Sequence, residues 1–349
     1  MGIVVDDKEV VKVAEQVPDE YDVIVVGGGA AGLNGALMLG RSRRSVAVID
    51  AGAPRNAPAE GVHGLLAREG MPPGELLDRG RAEVTAYGGT IVPGEVVAAA
   101  RDGAGFAVAL ADGRSVRGRR LLVTTGVVDE LPDIAGLRER WGRDVVHCPY
   151  CHGWEVRDQA IGVVATGPMS MHQVQMFRQL SDDVVYFTHT AEAPSPQQAA
   201  ELEARGIRVV DGAVASLEIA GDRITGVRLQ DGTVVPRAAV AVGTRMVAQA
   251  GFLHDIGLHL IEHPSGAGEY IPSDAMGRAE VPGVWLAGNV TNPFAQVGAA
   301  AAEGAMAGAQ INADLIAEEV EIAVAAQREP FSAKDEAEVA ALVGGDRGL

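Results

Sequence analysis

The segment Tyr21–Val26 (YDVIVV) runs directly into Gly27-Gly28-Gly29-Ala30-Ala31-Gly32, and no other feature constrains the fold as tightly. A continuous apolar run with β-branched residues reads as a strand buried on both faces. Leu33 to Leu39 is small and apolar, like a helix lying on a sheet, and Ser45–Asp50 (SVAVID) is a second strand ending in a carboxylate. Within such a strand–turn–helix–strand unit each glycine has its own task. Gly27 allows the tight turn, Gly29 lets a pyrophosphate approach the backbone, and Gly32 lets helix and strand pack closely. The phosphates would then lie at the positive end of the helix, beside Ala30 and Ala31. Asp50 stands where a carboxylate accepts hydrogen bonds from ribose hydroxyls. A glycine-rich turn without a ligand is the competing reading. The strand before, the helix after and the acid in register favour a dinucleotide.

The rest of the chain reads as a partial repetition. Residues 91 to 125 are short strands separated by turns at Asp102-Gly103 and Asp112-Gly113, ending in Leu121-Leu122-Val123-Thr124-Thr125-Gly126. A second unit follows: a strand at Ala160–Ala165, a helix at Gln173–Leu180 and a strand at Val184–Phe187. Strands around an Asp231-Gly232 turn then lead to Ala239–Gly243, so QDGTVVPRAAVAVGT occupies the place of ADGRSVRGRRLLVTTG in the first copy. A last buried strand at Val281–Asn289 and an alanine-rich helix from Gly298 to Ile316 belong with the first copy. The expectation is an α/β chain of two Rossmann-like domains, the second inserted into the first. The first domain would occupy residues 20–131 and 241–320, the insert 132–240, and an acidic tail 321–349. The segment after Ile316, broken at Pro330 with a helical patch after Ser332, reads as a solvated or dimer-packing tail.

Composition removes several classes of function. The formal net charge of −18 repels phosphate backbones and anionic lipid, which argues against nucleic acid as a partner. No run of 18 apolar residues is present, which argues against a membrane span. The acidic start from Met1 to Glu20 lacks the basic, then apolar, pattern of a secretory leader, so a cytoplasmic protein is expected.

Only two cysteines occur, Cys148 and Cys151, inside His147-Cys148-Pro149-Tyr150-Cys151-His152-Gly153. Cysteines spaced in this way at a helix start can close a disulfide, and the helix dipole stabilises a thiolate. Proline between them fixes the turn. Zinc held with His147 and His152 is an alternative, although adjacent His and Cys side chains usually point apart and no second cluster is present. An inert pair is the other. Redox activity is the favoured reading of a pair that makes up the whole cysteine complement.

These motifs together resemble the thioredoxin reductase-like class of pyridine nucleotide-disulfide oxidoreductases, over residues 20 to 316. The features that carry the resemblance are the Gly27–Gly32 loop, Thr124-Thr125-Gly126, the Cys pair before the second unit, and Gly288 with Gln296. Within that class the chain is most similar to the small-molecule dithiol oxidases that close disulfides in natural products such as holomycin and gliotoxin. The shared residues there are Asp50-x-Gly52-x-x-Arg55-Asn56, His63-Gly64, Cys148–Glu155 and Ala287-Gly288-Asn289. The resemblance implies an FAD cofactor contacted also by Arg55, Asn56, His63, Val97, Thr125, Gly126, Gly288, Asn289, Gln296 and Val297. It further implies Cys151 against the flavin, Cys148 as the exchanging sulfur, and a homodimer. Asn289 replaces a more usual Asp facing the ribityl chain, and an amide can still donate and accept there.

Two departures from thioredoxin reductase proper shape the functional expectation. Where the reductases place a three-glycine turn for NADPH, this chain has Ala165-Thr166-Gly167-Pro168-Met169-Ser170. Cβ atoms would crowd a pyrophosphate, and Pro168 lacks an N–H. The next strand ends Thr188-His189-Thr190-Ala191-Glu192, without an arginine for a 2′-phosphate. NADPH is therefore not expected, and electrons would run from a small-molecule dithiol to FAD and on to O2, giving hydrogen peroxide. The second departure is His152 in place of Asp, a residue able to act as base toward an incoming thiol or simply to pack on Trp154. The rival expectations are a reductase fed by NADPH or ferredoxin, a flavin enzyme acting on a non-thiol substrate with idle cysteines, and a non-catalytic redox-sensing flavoprotein.

Overall fold

The computed structural model describes residues 20–328, together with 337, 339 and 340. Ala337, Val339 and Ala340 are helical, while the acidic start before Glu20 and the break at Pro330 lie outside the described residues.

The first domain opens with β1 (Glu20–Val26), α1 (Ala30–Arg41), β2 (Val46–Asp50) and α2 (Pro73–Ala86), followed by β3 (Thr90–Pro93). β4 (Val96–Asp102), β5 (Gly105–Leu110) and β6 (Ser115–Val123) then form an antiparallel meander. The sheet order is β3-β2-β1-β6-β5-β4, with β1 parallel to both β2 and β6. β1 is buried on both faces, as its unbroken apolar run requires. α1 begins at Ala30, directly after Gly29, earlier than the apolar run suggested.

A crossing strand, β7 (Val127–Glu130), leads to α3 (Leu137–Arg140), β8 (Val145–Val146) and the four-residue α4 (Pro149–His152). Next come β9 (Ile161–Val164), α5 (Ser170–Phe177), β10 (Val184–Phe187), α6 (Pro196–Ala204) and β11 (Arg208–Val210). The insert closes with β12 (Val214–Ala220), β13 (Arg223–Leu229), β14 (Val234–Val235) and β15 (Ala239–Val242). Its parallel sheet has the order β11-β10-β9-β15-β8, and β9, β10 and β15 are buried throughout. α5 starts three residues before the expected Gln173, because Ser170 itself forms the turn. The two copies differ at one informative place. β6 is one strand serving both the meander and the parallel sheet, whereas Pro236 divides its counterpart into β14 and β15. Proline supplies no N–H to a ladder, so the strand breaks there.

The chain returns through β16 (Arg245–Ala248), antiparallel to β7, so two adjacent crossing strands join the domains. β17 (Ile261–Glu262) and β18 (Gly268–Tyr270) extend this small sheet. β19 (Val284–Leu286) then pairs with the second half of β6, completing the first domain from the far side of the insertion. This final strand is shorter than expected, since Gly283 and Gly288 both take positive φ at its ends.

α7 (Val297–Arg328) runs twelve residues past the expected end at Ile316, and its small residues explain where it lies. A Cβ on Gly304 would stand 1.9 Å from the Ala31 carbonyl oxygen, so only glycine allows this approach to α1. Past Ile316 the chain continues as helix; its described residues from Val320 to Gln327 are exposed, and only Glu318 and Glu319 turn back onto the first domain. Glu319 pairs with Arg44 at 2.5 Å and with Arg119 at 2.9 Å, while Glu318 binds Arg119 and Arg120. These two carboxylates pair with Arg44, Arg119 and Arg120, three arginines of the first domain. The double variant Glu318→Gln/Glu319→Gln is expected to lower the midpoint of thermal unfolding by a few degrees, measured by calorimetry. The folded pKa of Glu319 is lowered to about 2 by Arg44 and Arg119, so its contribution is present above the unfolded carboxylate range. It disappears as pH falls toward 2, where wild type and variant should converge.

Candidate active site

A cleft of about 1030 Å³ runs from the first glycine loop to the cysteine pair and on to the second loop. At its first end Gly27 turns with φ +104°, and a Cβ on Gly32 would lie 1.9 Å from the Gly27 carbonyl oxygen. Gly32 therefore packs the turn and does not line the cleft, whereas Gly27, Gly29, Ala30 and Ala31 do. No side chain caps α1, and the space above Gly29 is open. The uncapped helix start thus faces the cleft as an anion seat. Asp50, at the end of β2, accepts a hydrogen bond from the Gly28 amide at 3.2 Å and pairs with Arg81 at 3.1 Å.

Further along, Thr125, Gly126, Gly288, Gln296 and Val297 line the cleft, as do Arg55, Asn56 and His63. The buried Thr125 hydroxyl oxygen has no hydrogen-bond partner, a polar atom directed at something the protein does not supply. The residues present therefore fit FAD: an uncapped helix start, a carboxylate in ribose register, and an orphaned hydroxyl on one elongated cleft. Val97 does not belong to it. This residue sits half-exposed on β4 beside a register shift in the β4–β5 pairing, outside the residues that line the cleft. Asn289 lines the cleft but spends its amide differently from the expectation. It donates to the carbonyls of Asn292, Pro293 and Ala295 at 3.1, 3.1 and 2.9 Å, which clamps the turn before α7. A carboxylate could not make those donations.

The cysteines lie where β8 gives way to α4. Both are free thiols, half-buried, and both line the cleft. The Cys148 thiol is lowered to about 7, chiefly by the hydrogen bond from the Cys151 thiol. The amides of Cys151 and Tyr150 and the charge of Arg55 assist against the opposing effect of burial. Cys151 is pushed up by the same hydrogen bond, by its own burial and by the neighbouring Cys148 charge. Thiolate character is thus concentrated on Cys148. A long helix dipole is not its source, because α4 is a single turn.

Arg55 was expected among the flavin contacts, and the structure shows what holds it. Its guanidinium forms a two-pronged pair with Asp129 at 2.7 and 2.7 Å, and Thr244 donates to the same carboxylate at 2.6 Å. Burial opposes ionisation of Asp129, yet Arg55 outweighs it and keeps the carboxyl below its usual range. Asp129 on β7 and Thr244 just before β16 come from the two crossing strands, so this network fixes a charge at the domain junction. Sequence reasoning missed both residues, since neither sits in a motif.

The three histidines near the pair separate. His147 is half-buried at the cleft wall, its ring nitrogen Nδ1 is 3.2 Å from the Val242 carbonyl, and desolvation followed by Arg55 lowers its pKa. It packs near Trp141, a structural position. His152 does not rest on Trp154, which is exposed and stacked beneath Arg157. Its ring instead meets that of His63 edge-on, centroids 6.2 Å apart, and burial lowers its pKa. His63 in turn lies 2.6 Å from Glu69 and 3.6 Å from Glu155. Among the described residues no group of three His, Cys, Asp or Glu side chains is gathered to hold a metal ion.

The far end of the cleft is formed by the degenerate second loop. There the hydroxyl oxygen of Ser170 accepts from the amides of Thr166 at 3.0 Å and Gly167 at 3.3 Å. The Thr166 hydroxyl donates to the Gly243 carbonyl at 3.0 Å. Past β10, His189 turns back to accept from the Val214 amide at 3.0 Å. Ser170 thus takes up two amides of this loop, whereas the space above Gly29 in the first loop is open.

An uncapped dinucleotide seat and a polarised dithiol opening on one cleft define an oxidoreductase of the dinucleotide-dependent, dithiol-bearing class. The chain belongs to the pyridine nucleotide-disulphide oxidoreductase family, whose model matches residues 21–308. It is thioredoxin reductase-like within that family. It is 30% identical over 308 residues to thioredoxin reductase tcpT of Claviceps purpurea, covering 85% of this chain and 95% of the relative. Thioredoxin reductase sirT of Leptosphaeria maculans is 29% identical over 313 residues, covering 84% and 94%. The crystal structure of HlmI superposes with a TM-score of 0.84 at 44% identity, covering 89% of this chain and 98% of that one. Among the described residues no helix is long and apolar enough to cross a membrane.

Proposed function

We propose that the protein is an FAD-dependent dithiol oxidase, which closes a small-molecule dithiol to its cyclic disulfide through the Cys148–Cys151 pair. The observation that carries this reading is the contrast between the two loops of one cleft. At the first, the turn at Gly29 is open to the cleft and the helix start behind it has no side-chain cap, while at the second Ser170 already holds the amides of Thr166 and Gly167. Electrons then enter as thiols. The similarity to the thioredoxin reductases tcpT and sirT supports a place near thiol–disulfide chemistry.

FAD, held by the Gly27–Gly32 loop and Asp50, would supply the acceptor for the electron pair and pass it to dioxygen, giving hydrogen peroxide. The protein's own groups account for the exchange. In the disulfide form of the pair, a substrate thiolate attacks the Cys148 sulfur and breaks the Cys148–Cys151 bond. His152, kept uncharged by burial, accepts the proton of that thiol and returns it to the departing Cys151 thiolate. The second substrate thiol then displaces Cys148, whose low pKa makes it a good leaving group. Working as a homodimer without a nucleic-acid or membrane partner is part of the same proposal.

Oxygen consumption by the purified yellow protein, with dithiols and with or without NADPH, tests this reading. Dithiol-dependent uptake that NADPH neither drives nor accelerates is the expected result. Bleaching of the flavin by micromolar NADPH alone would favour a reductase in its place, the alternative that the names of the relatives raise.

A further inference from the structure

We propose that His63, held by Glu69, is a second general base of this site, serving the second thiol of the substrate. The inference rests on the dithiol reading above and adds a residue and a step to it.

Closing a dithiol on a protein disulfide releases two thiol protons, and the two sulfurs react in succession at different places. One base beside the pair accounts for the first proton only. His152 follows Cys151 directly in the chain and sits on the insert. His63 reaches the same cleft from the loop between β2 and α2, in the other domain. Their rings meet edge-on at 6.2 Å, so the two imidazoles stand side by side along the wall that also carries both cysteines.

The surroundings of His63 are those of a proton acceptor with an exit. Its Nδ1 lies 2.6 Å from Glu69, whose other carboxylate oxygen accepts the Gly64 amide at 2.9 Å. That fixes the ring tautomer with the proton on Nδ1 and leaves Nε2 as the acceptor, the arrangement in which a carboxylate orients a basic imidazole. Glu69 is largely exposed and opens to solvent, whereas Nε2 points toward Glu155, 3.6 Å away. The groups facing the two rings are thus Glu69 from the same loop, Glu155 and His152 from the segment after the cysteines, and Glu60 near His152. Three carboxylates thus surround the two imidazoles.

The balance is as follows. The first substrate thiol gives its proton to His152, and its sulfur bonds to Cys148 as the Cys148–Cys151 bond breaks. Cys151 leaves as thiolate and takes that proton. The second thiol gives its proton to His63 Nε2, and its sulfur bonds to the first substrate sulfur as the bond to Cys148 breaks. Cys148 departs as thiolate, and the proton on His63 passes to solvent beside Glu69. The substrate has lost two electrons, and the protein disulfide has gained them.

The test separates the two steps on the full-length protein carrying its flavin, with Cys148–Cys151 in the disulfide form. Dithiothreitol and 2-mercaptoethanol are the probes, and acid-quenched intact mass follows the adduct on Cys148. In His63→Gln the resolution of the dithiothreitol adduct is expected to slow about 100-fold or more, so that the adduct accumulates. Slowing of the first attack, read with 2-mercaptoethanol, should be at least tenfold smaller. Glu69→Gln should give a weaker form of the same step-specific defect, and His152→Gln the opposite pattern, with little adduct formed. Equal slowing of both steps in His63→Gln, or no adduct where wild type turns over, overturns the role of His63 and leaves the dithiol reading standing. Failure of wild type to exchange with either thiol sinks both.

Discussion

Under the proposed dithiol chemistry, Cys148→Ser is expected to lower dithiol-dependent reduction of the flavin by at least about 10³-fold, the scale on which loss of a nucleophile acts. The serine hydroxyl keeps the shape of the site but can form no mixed disulfide, so the route from substrate to Cys151 is cut. The nucleotide end of the cleft is untouched, and the variant should remain yellow. Alkylation of the reduced wild-type protein by iodoacetamide provides the accompanying measurement. With Cys148 near 7, its reactivity should rise about tenfold per pH unit below neutrality and level off above it. Cys151, pushed up by the Cys148 hydrogen bond, should stay unmodified throughout that range. Retention of full activity by the serine variant would make the cysteines idle and leave a flavin enzyme acting on a substrate without thiols.

Arg55→Met is the second large effect, and it falls on the fold. The variant leaves the Asp129 carboxylate mostly buried with only the Thr244 hydroxyl to serve it. Removing one member of a buried ion pair costs about 3–5 kcal/mol, because the remaining charge is uncompensated. The sign with pH follows from linkage. In wild type the Asp129 pKa is lowered, so its contribution is present above the unfolded value and lost as pH falls through the folded one. In the variant burial is opposed mainly by the hydrogen bond from Thr244 and is expected to raise the carboxyl, so ionisation near neutrality opposes folding. The stability gap between the two proteins in urea should therefore be widest near pH 7 and narrow toward about pH 4, the ordinary carboxylate range. A constant gap across that interval would mean that Arg55 contributes by packing, not by charge.

Both variants touch residues that the sequence singled out, but for reasons only partly visible there. Cys148 and Cys151 were legible because a dithiol needs its two sulfurs at fixed spacing, and spacing is written in the chain. The glycine loop was legible for the same reason: a tight turn, a close approach and a following helix leave a local pattern. Arg55 was named by likeness alone. Its partners Asp129 and Thr244 come from strands on either side of the insertion, and no local pattern marks such a meeting. The misplaced residues fail in similar ways. Val97 turned outward because a register shift in β4 decides its face, and Asn289 turned to the Phe294 loop because three carbonyls lie within reach. The pairing of Glu318 and Glu319 was not legible, because acidic composition carries no record of the arginines on another element.

The sequence by itself determined the two nucleotide-type units, the insertion of one within the other, the cysteine pair and the loss of glycine from the second loop. All of these rest on interactions between near neighbours in the chain, where hydrophobic period, turn chemistry and residue spacing act directly. Only the tertiary structure decided that Ser170 fills the second loop's donors, that Arg55 is anchored at the crossing strands, and that His63 faces His152. Those are encounters between side chains brought together by packing, and the energy that selects them depends on distance and burial, which no linear pattern encodes.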